Sequence, residues 1–225
     1  MKSIFFISVI LISSMTFSQD LSLYLHAKGA LNGSTILNNS IATNETQSYG
    51  FAFSGYGGVG ASLLYEDKVG ASIELLVGNH SAKYTGKYTI GLTEENYSST
   101  INLSVLQIPL LFRLDQEEGY LELGPQLNLV TGANYSSDFI GFTDDNITEA
   151  YKRASFSGVL GFGSYHELGG KRSPVSLSFG LRINYGLSDV EGANPEGIWY
   201  IDLPNKKKSL LLAGGLNLGI HYELK

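Results

Sequence analysis

Residues 176–187 read S-L-S-F-G-L-R-I-N-Y-G-L, apolar at every second position. Leu177, Phe179, Leu181, Ile183, Tyr185 and Leu187 share one face; Ser176, Ser178, Gly180, Arg182, Asn184 and Gly186 share the other. A period of two belongs to a β-strand, and a run this long exceeds the usual strand of a globular sheet. The same pattern recurs at residues 21–28, 69–78, 121–129 and 210–224. Glycine-rich stretches at 51–65 and 156–168, with V-L-Q-I-P-L-L-F-R-L-D at 105–115, bring the strand count to eight. Connections at 66–68, 115–119 and 169–173 are short, whereas 32–50, 81–97, 132–150 and 188–208 are long and polar. An even number of strands with short turns at one end and long loops at the other is the plan of an outer-membrane barrel.

After residue 19 no apolar run reaches the roughly 18 residues that mark a spanning helix, so a membrane crossing falls to strands. The first residues, M-K-S-I-F-F-I-S-V-I-L-I-S-S-M-T-F-S, have one charge at Lys2, an apolar centre and small residues before Gln19, as a secretory leader does. The reading is a signal peptide over 1–18 and one barrel domain over 19–225. Loss of Lys2 with the leader takes the net charge of −6 to −7, which argues against nucleic acid as a partner. The chain has no cysteine, so no disulfide staples it.

Alternation alone does not say which face looks outward, because a soluble lipocalin-like barrel alternates too. The polar face carries Lys28, Glu74, Arg113, Glu122, Arg182 and Glu223. Such charges suit a narrow lumen, where they pair, and would be costly in an apolar ligand-binding calyx. Aromatic residues gather near strand ends, Tyr24, Tyr65, Phe112, Tyr120, Tyr165 and Tyr222 at one end and Phe51, Tyr84, Tyr135, Tyr151 and Tyr185 at the other. Two interfacial girdles are expected from that clustering.

Q-I-P-L-L-F-R at 107–113 followed by Y-L-E-L-G-P-Q at 120–126 resembles the E-I-P-L-L-L-K and G-x-x-G-P signature of the PorT-like outer-membrane β-barrel proteins. S-F-S-G-V-L-G-F-G and L-R-I-N-Y-G-L-S-D-V are similar to that family's later strands. The chain departs at Gln107, where an acidic residue is common, and ends on Y-E-L-K rather than on an aromatic residue. The resemblance implies an outer-membrane barrel and little about activity, since a few members serve as secretion accessories.

Motifs of soluble enzymes lack their context. Gly55-Tyr56-Gly57-Gly58-Val59-Gly60 matches a dinucleotide fingerprint, but strand alternation continues through it and no helix follows. Gly163-Ser164-Tyr165-His166 lacks the nucleophile elbow. Asp144-Asp145-Asn146 lacks the glycine and later glutamate of a calcium loop. No catalytic residue, metal or cofactor is assigned. His26 and His221 fall on the interior parity of the first and last strands, which are neighbours in a closed barrel. They are expected to meet near the turn-end mouth beside Lys28 and Glu223, as a polar plug more than a metal site. Arg113 and Glu122 flank one turn and are expected to pair. Pro109 is expected to force a bulge or a gap in the ladder. Apolar Ile101, Leu103 and Val105 on the lumen parity imply a parity shift or a strand running beyond the membrane. Trp199 and Tyr200 are either a loop contact site or the aromatic top of a strand.

The expected fold is an all-β, eight-stranded antiparallel up-and-down transmembrane β-barrel in the cell outer membrane, termini periplasmic and long loops extracellular. Its expected partners are outer-membrane lipid, the barrel-insertion machinery and an extracellular or secretion-complex protein. Its function would be binding, structural or secretion-accessory. A membrane-embedded lipid-modifying enzyme and a soluble carrier are the competing classes.

Overall fold

The computed structural model describes residues 21–38, 47–90, 93–116, 119–138, 145–169, 173–191 and 208–224. The leader reading over 1–18 and the pair Trp199 and Tyr200 lie outside the described residues. Ten strands follow one another: β1 (Leu21–Asn38), β2 (Gln47–Gly50), β3 (Ala52–Tyr65), β4 (Val69–Ile90), β5 (Thr93–Gln116), β6 (Gly119–Ser137), β7 (Asp145–Asn146), β8 (Ala154–Glu167), β9 (Val175–Gly186) and β10 (Ser209–Leu224). β2 and β7 are short ladders laid on β4 and β6. The other eight pair in chain order, each antiparallel to its neighbours, and β1 pairs β10 to close the ring. Closure leaves the eight staves without a free edge in the membrane, where an unpaired backbone group would find no water.

The faces settle the environment. Leu25, Val59, Ile73, Leu110, Leu123, Ile183, Leu218 and Ile220 point outward and lie largely exposed, while Lys28, Glu74, Arg113, Glu122 and Arg182 are buried inside. An apolar band around the whole molecule far exceeds the exposed patch that a soluble protein tolerates, which removes the soluble-carrier reading.

Three connections join strands at one end, 66–68, 117–118 and 168–174, and the barrel begins and finishes there at Leu21 and Leu224. At the opposite, loop end the long segment expected over 81–97 is a correction. β4 and β5 stay paired to Ile90 and Thr93 with only two residues between them. The apolar alternation stops where the strands leave lipid, but residues rich in Tyr, Thr and Ile keep the ladder going. This length also explains Ile101, Leu103 and Val105: β5 keeps its parity, and they line an apolar core inside the barrel's upper part.

The register shift in β6 leaves Thr131 as an extra residue opposite Ser104 and Val105, away from Pro109. Around Pro109 pairing lapses on both sides, between Gln107 and Leu110 toward β4 and between Pro109 and Phe112 toward β6, and resumes in the same register. Pro109 thus opens a gap without a bulge, because Pro125 and Gly124 stand opposite and the sheet there has one donor fewer on each strand. The girdle expectation also needs correction. Tyr65, Phe112 and Tyr222 face outward at the turn end and Phe51, Phe53 and Tyr185 at the loop end, but Tyr84, Tyr120, Tyr135 and Tyr151 are buried inward.

Candidate functional site in the lumen

Four charged side chains cross the lumen in one layer: Lys28 from β1, Glu74 from β4, Glu122 from β6 and Arg182 from β9. Lys28 Nζ donates to Glu74 Oε1 at 2.7 Å and to Glu122 Oε2 at 3.2 Å. The Arg182 guanidinium donates to Glu74 through Nη1 at 2.7 Å and Nη2 at 3.1 Å, and to Glu122 through Nε at 2.7 Å and also through Nη2. Two cations and two carboxylates balance, and each charge has partners from opposite walls. The fork of the guanidinium matches the two carboxylates in a way an ammonium would not.

The sequence makes room for this layer with glycine. Lys28 is opposite Gly58 and Gly219, Glu74 is opposite Gly60, Glu122 is opposite Gly161, and Arg182 stands between Gly161 and Gly215. A Cβ on Gly161 would come within 2.5 Å of Glu122 Oε1 and 2.7 Å of its Cγ. The glycine-rich runs at 51–65 and 156–168 are therefore the space into which long charged side chains fold.

A second layer lies toward the turn end. Arg113 and Glu122 are paired in register across the β5–β6 hairpin. Their side chains nevertheless do not pair, which corrects the expectation. Glu122 is taken by Lys28 and Arg182, and Arg113 donates to Asp115 through Nε at 3.0 Å and Nη2 at 3.2 Å, and to Ser62 Oγ at 3.2 Å. Asp115 shares the lumen parity of Arg113 two residues on, so its role was readable from the alternation. The guanidinium lies 5.1 Å from the Tyr120 ring centroid and 5.7 Å from that of Tyr165. His26 and His221 are register partners with rings 5.2 Å apart, and Tyr165 meets His221 edge-on at 5.3 Å. His26 approaches Glu74 at 3.4 Å, and His221 Nε2 is 2.9 Å from Ser178 Oγ. Glu223 pairs in register with Tyr24 nearer the rim, partly exposed and outside both layers.

Toward the loop end an apolar core of Ile36, Leu103, Val105, Val130 and Leu211 fills the barrel. Ala150, Tyr151 and Val190 fold into it from the connections after β6 and β9. Ile147 N–H donates to Ala133 O at 2.9 Å, Lys152 N–H to Val190 O at 2.8 Å, and Val190 N–H to Ser209 O at 3.0 Å. The loop segments are thus hydrogen-bonded into the mouth. Asp189 anchors this cap: burial opposes its charge, but the Ser209 N–H, the Lys152 ammonium and the Glu191 N–H outweigh it and hold its carboxyl below the ordinary 3.8.

Ser62, His26 and Glu74 converge from β3, β1 and β4, although nothing in their spacing along the chain marks them as a group. Ser62 Oγ lies 3.4 Å from His26 Nδ1, and His26 Nε2 lies 3.4 Å from Glu74. The order is that of an acyl-transfer triad, but its contacts are longer than a nucleophile and base need. Ser62 already accepts from Arg113, the carboxylate is held by two cations, and all three side chains are buried. Ser164 and His166 sit exposed at the turn-end finish of β8. Among the described residues no group of three or more metal-ligating side chains is gathered.

The family model described as "Outer membrane protein beta-barrel domain" matches residues 17–192. No curated protein sequence matches the chain at a significant level. Among solved structures the chain is similar to Neisserial surface protein A at 16% identity and a TM-score of 0.42, over 90% of this chain and 97% of that one. It is similar to the outer membrane protein OprG from Pseudomonas aeruginosa at 13% identity and a TM-score of 0.41, over 90% of this chain and 96% of that one. It is also similar to Ail, the attachment invasion locus protein of Yersinia pestis, at 11% identity and a TM-score of 0.37, over 90% and 99%. At such identities and scores the likeness carries no function across.

Proposed function

This chain belongs to the outer membrane protein beta-barrel domain family, and on that premise we propose that it works through its loop end, as a non-enzymatic binding, structural or secretion-accessory element of the outer membrane. The observation that carries the reading is the filled lumen. A salt-bridged layer, a histidine and tyrosine layer and an apolar cap lie in series along the barrel axis. A barrel of eight strands has an interior that side chains just fill, so no general pore runs through it. The Ser62, His26 and Glu74 arrangement offers a substrate no access, which supports a non-catalytic role. The Q-I-P-L-L-F-R and Y-L-E-L-G-P-Q stretches favour the PorT-like branch, and with it a protein partner at the outer surface. The turn end and both termini face the periplasm in this reading, leaving the long β4–β5 hairpin outside.

The chain has no cysteine, so single cysteines report orientation cleanly. A cysteine at Lys87, in the hairpin tip, should react with a membrane-impermeant maleimide on intact cells. One at Asp67, in the β3–β4 turn, should react only after the outer membrane is opened. The opposite pattern would overturn the orientation. A photo-crosslinker at Lys87 should then trap a protein in the cell envelope that the same group at Asp67 does not; equal capture from both sites, or none from Lys87, would count against a working loop end.

A further inference from the structure

The outer wall carries a groove of about 770 Å³ within its lipid-facing band. Two rows of register partners bound it. Tyr222, Leu25, Ala61 and Ile73 form one row across β10, β1, β3 and β4. Ile220, Ala27, Val59 and Leu75 form the other, with Ile108 of β5 at its end.

The residues at the rows set the depth. Ala27 and Ala61 offer a methyl where Leu25, Val59, Ile73 and Leu75 raise side chains that stay about half-exposed. His26 and Glu74 also line the groove although their side chains have no exposure, so they reach it through main chain. Gly60 lies between them on β3 and has no side chain to offer. The floor is therefore bare backbone. At the β5 end, Leu75 and Ile108 stand where the ladder lapses beside Pro109, so no pairing draws the two rims together there.

We infer that this groove binds one acyl chain of a phospholipid from the leaflet at the turn end. Its width selects the occupant. The rows lie two residues apart along each strand, about 6.6 Å, which admits a single methylene chain. A helix, roughly 10 Å across, is too wide, and so is the convex wall of a second barrel. Length and slope select the leaflet. Five strands give four spacings, so the groove is about 19 Å long. Register partners climb toward the loop end as they pass round the ring, since the row through Leu23 and Leu63 returns to β1 at Gly33. With strands tilted about 40°, the groove rises about 12 Å from Tyr222. That is close to one leaflet of a hydrocarbon core roughly 30 Å thick. Its low end opens at Tyr222, among the outward aromatic residues of the turn end, which places the headgroup at that interface. A chain in the groove packs against floor and both rims, whereas a chain on the convex wall elsewhere touches one side only. That the lipid is a glycerophospholipid of the periplasmic leaflet rests on the orientation proposed above; the groove itself does not.

The test uses the full-length barrel in bilayers of phosphatidylethanolamine with a trace of the same lipid bearing a diazirine midway along one chain. After irradiation, insertion at Ala27, Ala61 and Leu75 should exceed severalfold that at Leu123 and Leu181, which adjoin Glu122 and Arg182 of the charged layer on the far wall. Ala27→Leu with Ala61→Leu fills the floor with groups that lipid accepts, so that barrel should keep its folded gel mobility and lose the excess. Native mass spectrometry of the wild type should show one retained phospholipid, largely lost in the double variant. Labelling even around the wall, or an excess that the double variant keeps, would overturn the site. A lipid-free dimer in the native spectrum would assign the groove to a second copy and overturn it too. The wild-type labelling stands whether or not the double variant folds. Both leaflets hold the same lipid here, so a reversed orientation leaves these results unchanged and shows only in the maleimide pattern at Lys87 and Asp67.

Discussion

Arg182 is the side chain on which the charged layer most depends, and Arg182→Met isolates its contribution. Arg182 donates along two arms to Glu74 and along two to Glu122, and its own side chain is 1% exposed. Methionine keeps much of the volume and removes the charge, leaving Lys28 alone against two buried carboxylates. Breaking a buried ion pair from one side costs about 3–5 kcal/mol, mostly because the partner stays charged and unpaired. That is roughly a 140- to 4,000-fold shift toward the unfolded state, at about 1.4 kcal/mol per factor of ten. The second step tests the cause. Arg182→Met with Glu122→Gln restores one cation against one carboxylate, so the pair should cost about 1–3 kcal/mol less than the sum of the single changes. Urea unfolding in lipid vesicles, read from the gel mobility that distinguishes folded from unfolded barrel, measures all four proteins. An Arg182→Met variant within about 1 kcal/mol of the parent, or single costs that simply add, would refute the account of the layer.

Gly161→Val should lose about 1–3 kcal/mol, as overpacking does, because its side chain would press on Glu122. Gly158→Ala, whose Cβ meets only Leu187 Cδ1 at 3.8 Å, should leave the unfolding midpoint nearly unchanged. The β3–β4 turn holds Glu66 and Asp67 at φ of 50° and 55°, a left-handed pair suited to Asn-Gly. Replacing them with Asn and Gly should raise stability by up to about 2 kcal/mol in the same titration, less whatever the Tyr24 Oη bond to Asp67 Oδ1 contributes; a loss would show that this bond matters more than the backbone. Asp189 titrates lower in the folded barrel than unfolded, so its support is present above the ordinary 3.8 and is lost as the pH falls through its lower folded value. The protection factors of the Val190 and Lys152 amides, taken against the intrinsic exchange rate at each pH, should therefore fall in acid, and Asp189→Asn should lower them at neutral pH. Exchange indifferent to both would detach the cap from Asp189.

Period-two alternation made the staves and their facing legible, down to Lys28, Glu74, Glu122 and Arg182 as interior residues. It did so because a strand sends successive side chains to opposite faces and lipid admits only one kind. What alternation does not encode is which interior charge meets which. Arg113 and Glu122 are register neighbours, yet the layer that forms joins β1, β4, β6 and β9 across the lumen, where distance depends on strand tilt and stagger. Tyr84 and Tyr120 share the interior parity of Glu74 and Glu122, so their inward facing was readable from alternation, whereas Tyr135 turns inward because the extra residue Thr131 shifts the parity of β6. The hairpin beyond Ala82 was misread because polarity there follows solvent and not secondary structure.

The most direct test of the central claim, a barrel whose lumen is filled by its own side chains, is the ionic conductance of the folded wild-type protein in a planar lipid bilayer. The current should stay at the bilayer baseline across the voltage range the membrane withstands. Stable, reproducible unit steps from the wild-type barrel would contradict it, for they would require an open path through the charged layer of Lys28, Glu74, Glu122 and Arg182.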